Sequence, residues 1–285
     1  MTIKTFTFLL LTITIGSCKP DDSYNPNYDG DKLVVNGIIE ANIGVTVDVS
    51  KSQSPGGIIA LDGYKVKNPR VWLYQSDGLV GEMTLNATGK FGMPNFKPQV
   101  GKYYRLKAIA DNLDTVESLP VLAIELPIIN SFTLKKDNSY ARNPNNAAAL
   151  FSLNMKDNAN EKNFYTLSSV VKITPDSTFS FNEGTVANLG SCEFYFYSLG
   201  TFFTDKCFNG DNYTLDYFSE HSNKGIWKIE LSAIDKNYFN YFRSLDQPPG
   251  YELAFVEPNI TTSNMKNGYG ILAAKSTRTF SFKLD

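Results

Sequence analysis

Apolar and polar positions alternate with period two along much of this chain, and that alternation predicts strands. Val45, Val47 and Val49 take turns with Thr46, Asp48 and Ser50, and residues 102–110, KYYRLKAIA, repeat the pattern. Similar runs at 69–74, 79–85, 91–96 and 116–126 are separated by the turn sequences QSDG, NATG and KPQVG. Strand-like runs continue at 130–134, 149–155, 164–173, 194–203, 213–218 and 226–231. Two more, ILAAKS and TFSFKL, follow the turn-rich KNGYG. One segment has helical spacing: Tyr238, Phe239, Tyr241, Phe242 and Leu245 within 235–245, with Asp235 as its N-cap. Turns this frequent predict an all-β chain of two β-sandwich-like (Ig-like) domains, 32–127 and 128–285, with one short helix in the second.

Residues 1–17 break the pattern. Lys4 precedes an apolar run from Phe6 to Ile15, then come Gly16, Ser17 and Cys18. A membrane span needs about 20 apolar residues, so this shorter run reads as a cleaved export signal. Ile15-Gly16-Ser17-Cys18 resembles a bacterial lipobox, which makes Cys18 the lipidated N-terminus of the mature chain. One acyl chain anchors marginally and two anchor stably. Bacterial lipoproteins carry two or three, so the predicted partner is a membrane, reached through the lipid. Lys19, Asp21 and Asp22 resemble the Lys-plus-acidic signal that sends lipoproteins of Bacteroidota-type bacteria to the cell surface. Residues 18–31, rich in Pro, Asn, Asp and Gly, have little to bury and read as a flexible acidic tether.

Composition narrows the function classes. The formal net charge is -2, and removing residues 1–17 takes away Lys4 and makes it one unit more negative. No basic patch suggests nucleic acid. Twenty Phe and sixteen Tyr favour sheet, and a single His excludes histidine-rich zinc sites. Beyond Cys18, Cys192 and Cys207 remain, symmetric about Leu199-Gly200. If that dipeptide is a hairpin turn, the cysteines face each other and form a structural disulfide, contributing about 3 kcal/mol on the chain-entropy model. Two buried free thiols are the other reading.

Candidate chemistry is sparse. A Ser-His-Asp arrangement would have to use His221, which sits in the polar stretch SEHSNKG with Asp216 and Glu220 nearby. Asp157, Asn158, Asn160 and Glu161 offer oxygen ligands for calcium but lack EF-hand spacing, and an Asx-rich turn accounts for them equally. No catalytic residue, metal site or cofactor is assigned. Tyr103-Tyr104, Phe194–Tyr197 and Tyr238–Tyr241 are aromatic clusters that either bind or pack. Asp114-Thr115-Val116 resembles a Bacteroidota O-glycosylation site.

Several segments in order carry a wider resemblance: LVVNGII near the start, NPRVWLYQSDGLVGEM, FKPQVGKYYRLKA, DNANEKNFYTL, FNGDNYTL, IDKNYFNYFRSL and FVEPNITTSNMKNGYGILAAKS. Together they resemble the DUF4249 family of Bacteroidota lipoproteins across nearly the whole mature chain. Where that family usually has Leu-Gly-Ile-Phe-Ala-Gly-Tyr, this chain reads Tyr269-Gly270-Ile271-Leu272-Ala273-Ala274-Lys275. The N-terminal half also resembles a carboxypeptidase-regulatory, transthyretin-like module. The resemblance implies a setting: a lipoprotein of the outer membrane, exposed at the cell surface, serving as a non-enzymatic accessory partner of a TonB-dependent transporter. A carboxylate-dependent hydrolase of peptide or glycan, or a structural adhesion protein of the envelope, are the alternatives.

Overall fold

The computed structural model describes residues 28, 30–54, 63–136, 147–172, 179–182, 184–197, 199–221, 225–246 and 261–284. Cys18, Lys19, Asp21 and Asp22 lie outside the described residues. The chain is all-β and sandwich-like, with one α-helix among the described residues. The first half supplies β1 (Leu33–Glu40), β2 (Gly44–Lys51), β3 (Arg70–Gln75), β4 (Gly78–Glu82), β5 (Thr84–Leu85), β6 (Phe91–Gly92), β7 (Tyr103–Ile109), β8 (Val116–Ser118) and β9 (Val121–Leu122). The second supplies β10 (Ile128–Lys136), β11 (Ala147–Lys156), β12 (Phe164–Lys172), β13 (Ser180–Asn182), β14 (Gly184–Val186), β15 (Phe194–Tyr197), β16 (Gly200–Thr204), β17 (Asn212–His221) and β18 (Gly225–Ile234). Helix α1 (Lys236–Asp246), β19 (Met265–Lys266) and β20 (Tyr269–Leu284) complete the order.

A ten-stranded sheet runs β15-β16-β12-β18-β20-β1-β2-β6-β5, with β13 beside β12. Two smaller sheets, β10-β11-β17-β14 and β19-β8-β7-β3-β4, pack side by side on one of its faces. Strand β20 shows this directly, because alternate residues of a strand share a face. Phe280 and Phe282 join the core under the first small sheet, and Leu272 and Ala274 join the core under the second. Phe280 stacks on Phe132 at 4.3 Å between ring centroids, and Phe282 lies 4.6 Å from Phe151. Ile124 touches both cores.

The long strand differs from the two runs, ILAAKS and TFSFKL, read from the sequence. No Gly or Pro interrupts residues 271–284, so nothing forces a break. The pattern changes because the surroundings change. Residues 271–274 are buried on both faces, whereas Ser281 and Lys283 face solvent in alternation with Phe280 and Phe282. A boundary at 127/128 therefore divides neither the large sheet nor the cores cleanly: Leu272 and Ala274 belong to the core of the first half, and Ile124 and Leu126 pack against that of the second. The first half of β20 pairs in parallel with β1, from Val34 opposite Tyr269 to Glu40 opposite Lys275. Its second half pairs antiparallel with β18.

Where β18 turns away into α1, the freed edge of β20 needs partners. Asn264 supplies them: its Nδ2 donates to the Leu272 carbonyl at 2.7 Å, and its Oδ1 accepts from the Leu272 N–H at 2.8 Å. One side-chain amide thus stands in for a strand residue. Helix α1 lies on the opposite face of the large sheet. Phe239 and Phe242 pack there with Phe164, Phe202 and Ile234, and Asp235 caps the helix through the Tyr238 N–H at 2.9 Å.

Asn264→Ala strands a buried N–H and a buried C=O, each worth roughly 1–3 kcal/mol when unpaired. The variant is expected to lose about 3 kcal/mol in a urea melt. Trp227 sits in one core, and Trp72 lies on the outer face of β3, whose Val71 and Leu73 enter the other, so single-tryptophan variants are expected to report one shared midpoint. Two separated transitions would contradict a common sheet.

Candidate functional site

The residues singled out in the sequence are not gathered in one place. Cys192 is buried just before β15, and Cys207 closes a 3₁₀ turn, Asp205–Cys207, after β16. A disulfide joins them, with Cα atoms 4.8 Å apart. The hairpin between them does not turn at Leu199-Gly200. Tyr197 pairs with Gly200, which moves the turn one residue earlier and leaves both cysteines beyond the paired strands. Gly200 is held in the strand with φ +137°, and a Cβ there would stand 2.6 Å from the Leu167 carbonyl oxygen. The turn at Asp205 then folds Cys207 back toward Cys192.

His221 ends β17 opposite Ala147, because the pairing with β11 runs three residues past Phe218. It is a strand residue and not part of a loop. Asp216 accepts a hydrogen bond from the Ser152 hydroxyl across the strand pair, at 2.6 Å. The 157–161 stretch is a hydrogen-bonded turn. Asn158 Oδ1 accepts from the Asn160 N–H at 3.2 Å, and Asn163 Nδ2 donates to the carbonyls of Asn158 and Glu161. Asp157 is buried and takes hydrogen bonds from the Tyr165 hydroxyl and, at 3.0 Å, from the Gly210 N–H. Among the described residues no group of three or more His, Cys, Asp or Glu side chains converges as metal ligands would.

Most of the singled-out aromatics pack. Tyr104 is buried, with its hydroxyl accepting from the Gln99 N–H at 2.9 Å and donating to Gln75 at 3.3 Å. Tyr195 stacks on Phe202 and donates to the Phe239 carbonyl at 2.7 Å. Phe194 and Phe196 stay exposed on β15, an outer strand of the large sheet.

Alternation does not announce the concavity that gathers several of these groups. A cleft of about 980 Å³ opens where the two small sheets meet. It is lined by the connection 120–128, the turn between β11 and β12, and the first turns of α1. Across one side, Glu193 bridges two cations, Lys162 at 3.3 Å and Arg243. Partial burial pushes the Glu193 carboxyl up, but the hydrogen bonds from Arg243 and Lys162 outweigh it and hold the group below its usual range. Behind the turn, burial raises Asp205, while the Asn163 N–H, 2.8 Å away, works the other way. Burial and the bond to Asp157 raise the Tyr165 hydroxyl, which keeps it a neutral donor. These groups shape the cleft through bonds to one another. The sequence held one signal of it: residues 120–127, PVLAIELP, are apolar apart from Glu125 and bounded by prolines.

Asp235 is the most perturbed acid on the cleft wall. Burial pushes its carboxyl up to about 6, against the hydrogen bonds that it accepts at the start of α1. This placement answers the orphan N–H groups of the helix start with a desolvated acid.

Residues 21–281 match the model of a family described as a domain of unknown function, DUF4249. No curated protein matches the chain.

The Asp235 carboxyl titrates higher in the folded chain than in the unfolded one. The folded state therefore binds more protons between about pH 4 and pH 6, and stability falls as pH rises through that window. Asp235→Asn keeps an acceptor for the Tyr238 N–H and removes the buried charge. It is expected to be more stable than wild type at pH 7, by on the order of 2 kcal/mol, with the gap closing below pH 4. Urea midpoints at the two pH values check this, and a gap independent of pH would contradict it.

Proposed function

The chain belongs to the DUF4249 family, and we propose that it is a lipid-anchored binding protein of the outer membrane. In this reading it faces the cell surface and acts as an accessory partner of a TonB-dependent transporter, without catalysis of its own. The observation that carries the anchoring is Cys18, placed directly after a short apolar segment and two small residues. Among the described residues no helix is long and apolar enough to cross a membrane, and a lipid needs none.

The body begins close behind the proposed anchor. Asp31 pairs with Lys51 on β2, and β1 starts at Leu33. Residues 19–31 reach at most about 45 Å when fully extended, so the cleft would work within a short distance of the membrane surface. Binding suits what lines that cleft: a wide opening between two β units, charged residues of both signs, and carboxylates already paired within the wall. General acid–base chemistry needs a titrating group within reach of a substrate proton. Asp157 and Asp235, the carboxylates deepest in the wall, are committed to Tyr165, Gly210 and Tyr238.

Cys18→Ser is expected to move the chain from the membrane fraction to the soluble fraction. Persistence in salt-washed membranes would refute the anchor. With Ala at Lys19, Asp21 and Asp22 together, the chain is expected to stay lipidated yet resist protease added to intact cells, while wild type is cut. A pull-down of the lipidated wild type from outer membranes is expected to bring a stoichiometric transporter with it.

A further inference from the structure

We propose that the cleft between the two small sheets receives an extended segment of another polypeptide, paired main chain to main chain along Ile124–Leu126. The proposal does not depend on where the chain is anchored.

The connection between β9 and β10 crosses the floor of the cleft without a turn or bend from 123 to 127. Its conformation is set from both ends. At Ala123 the N–H donates to the Lys102 carbonyl at 2.9 Å and the carbonyl accepts from the Gly101 N–H at 2.8 Å. At the other end Pro127 restricts Leu126 to extended geometry. The side chains of Ile124 and Leu126 pack into the cores below, while Glu125 is exposed. Yet the N–H and C=O groups of residues 124, 125 and 126 have no hydrogen-bond partner among the described residues. Rigid, extended main chain with open donors and acceptors is what strand addition uses, with affinity from the main chain and selectivity from alternate side chains.

The surroundings favour a peptide over other ligand classes. The cleft offers no ring for a sugar to stack on, since the rings bordering it, Phe164, Tyr165 and Phe239, are 9%, 2% and 1% exposed. An anion at the start of α1 meets the Asp235 carboxylate already seated on the Tyr238 N–H. A cation would have to displace the Tyr165 hydroxyl and the Gly210 N–H from Asp157. Around the open backbone stand Glu125, Lys156 and Lys236, all exposed and with no ion pair among the described residues. Charges of both signs flanking open backbone fit a peptide with alternating acidic and basic side chains.

The test pans a display library of random linear peptides, about twelve residues long, against the full-length chain in detergent. Amide hydrogen exchange is then followed with an enriched peptide bound. At least one amide of Ile124, Glu125 and Leu126 is expected to exchange about tenfold more slowly in the complex. N-methylation of alternate residues of the peptide is expected to weaken binding about tenfold, and methylation of the intervening residues is not, because only every second N–H of a paired strand faces its partner. Enrichment of no peptide would overturn the proposal. So would protection confined to the outer edge of β15, or binding that tolerates N-methylation at every position.

Discussion

Strand β20 is the constraint on which the rest of the molecule rests. Sixteen residues long, it is hydrogen-bonded to β1 over one half and to β18 over the other. Its inner face reaches both hydrophobic cores. A strand in that position leaves little freedom. The small sheets must lie on the same side of it, side by side, and the chain joining them must cross the gap between. The cleft, the unpaired connection on its floor and the helix at its edge follow from that arrangement. So does Asn264, which meets Leu272 where β18 has left.

The local elements were legible in the sequence because they are encoded locally. Alternation at Val45, Val47 and Val49 and in KYYRLKAIA marks β2 and β7, and helical spacing after Asp235 marks α1 and its cap. What could not be read was which strands share a sheet. The partners of β20 lie far away in sequence, and alternation says only that a residue faces a core, not which one. Continuous burial in ILAA next to alternation in TFSFKL looked like two strands because one strand passes through two environments. The hairpin slipped by one residue for a similar reason: the close approach of Gly200 to Leu167 is a tertiary contact.

The candidate site was harder still to read. Its parts are a connection, a turn and a helix start, the segments whose composition says least about their neighbours. Tyr165 and Asp157 are eight residues apart and meet through a turn, a pairing that neither residue advertises. Glu193, the carboxylate shared by Lys162 and Arg243, adjoins Cys192, so the disulfide also fixes part of the cleft wall. The electrostatics there are those of a scaffold, with charges held by one another.

The parallel pairing of β1 with β20 also has a consequence in time. Val34 and Tyr269 are opposite each other although about 235 residues separate them. A chain emerging N-terminus first makes β1, β2, β5 and β6 early, but until residues 269–275 arrive the other edge of β1 has no strand to pair with. Closing so long a loop costs entropy before any contact repays it. The middle of the large sheet therefore forms last, when the C-terminal strand slots between β1 and β18. Until that moment the two parts of the large sheet share no strand, and afterwards a single late strand locks them together.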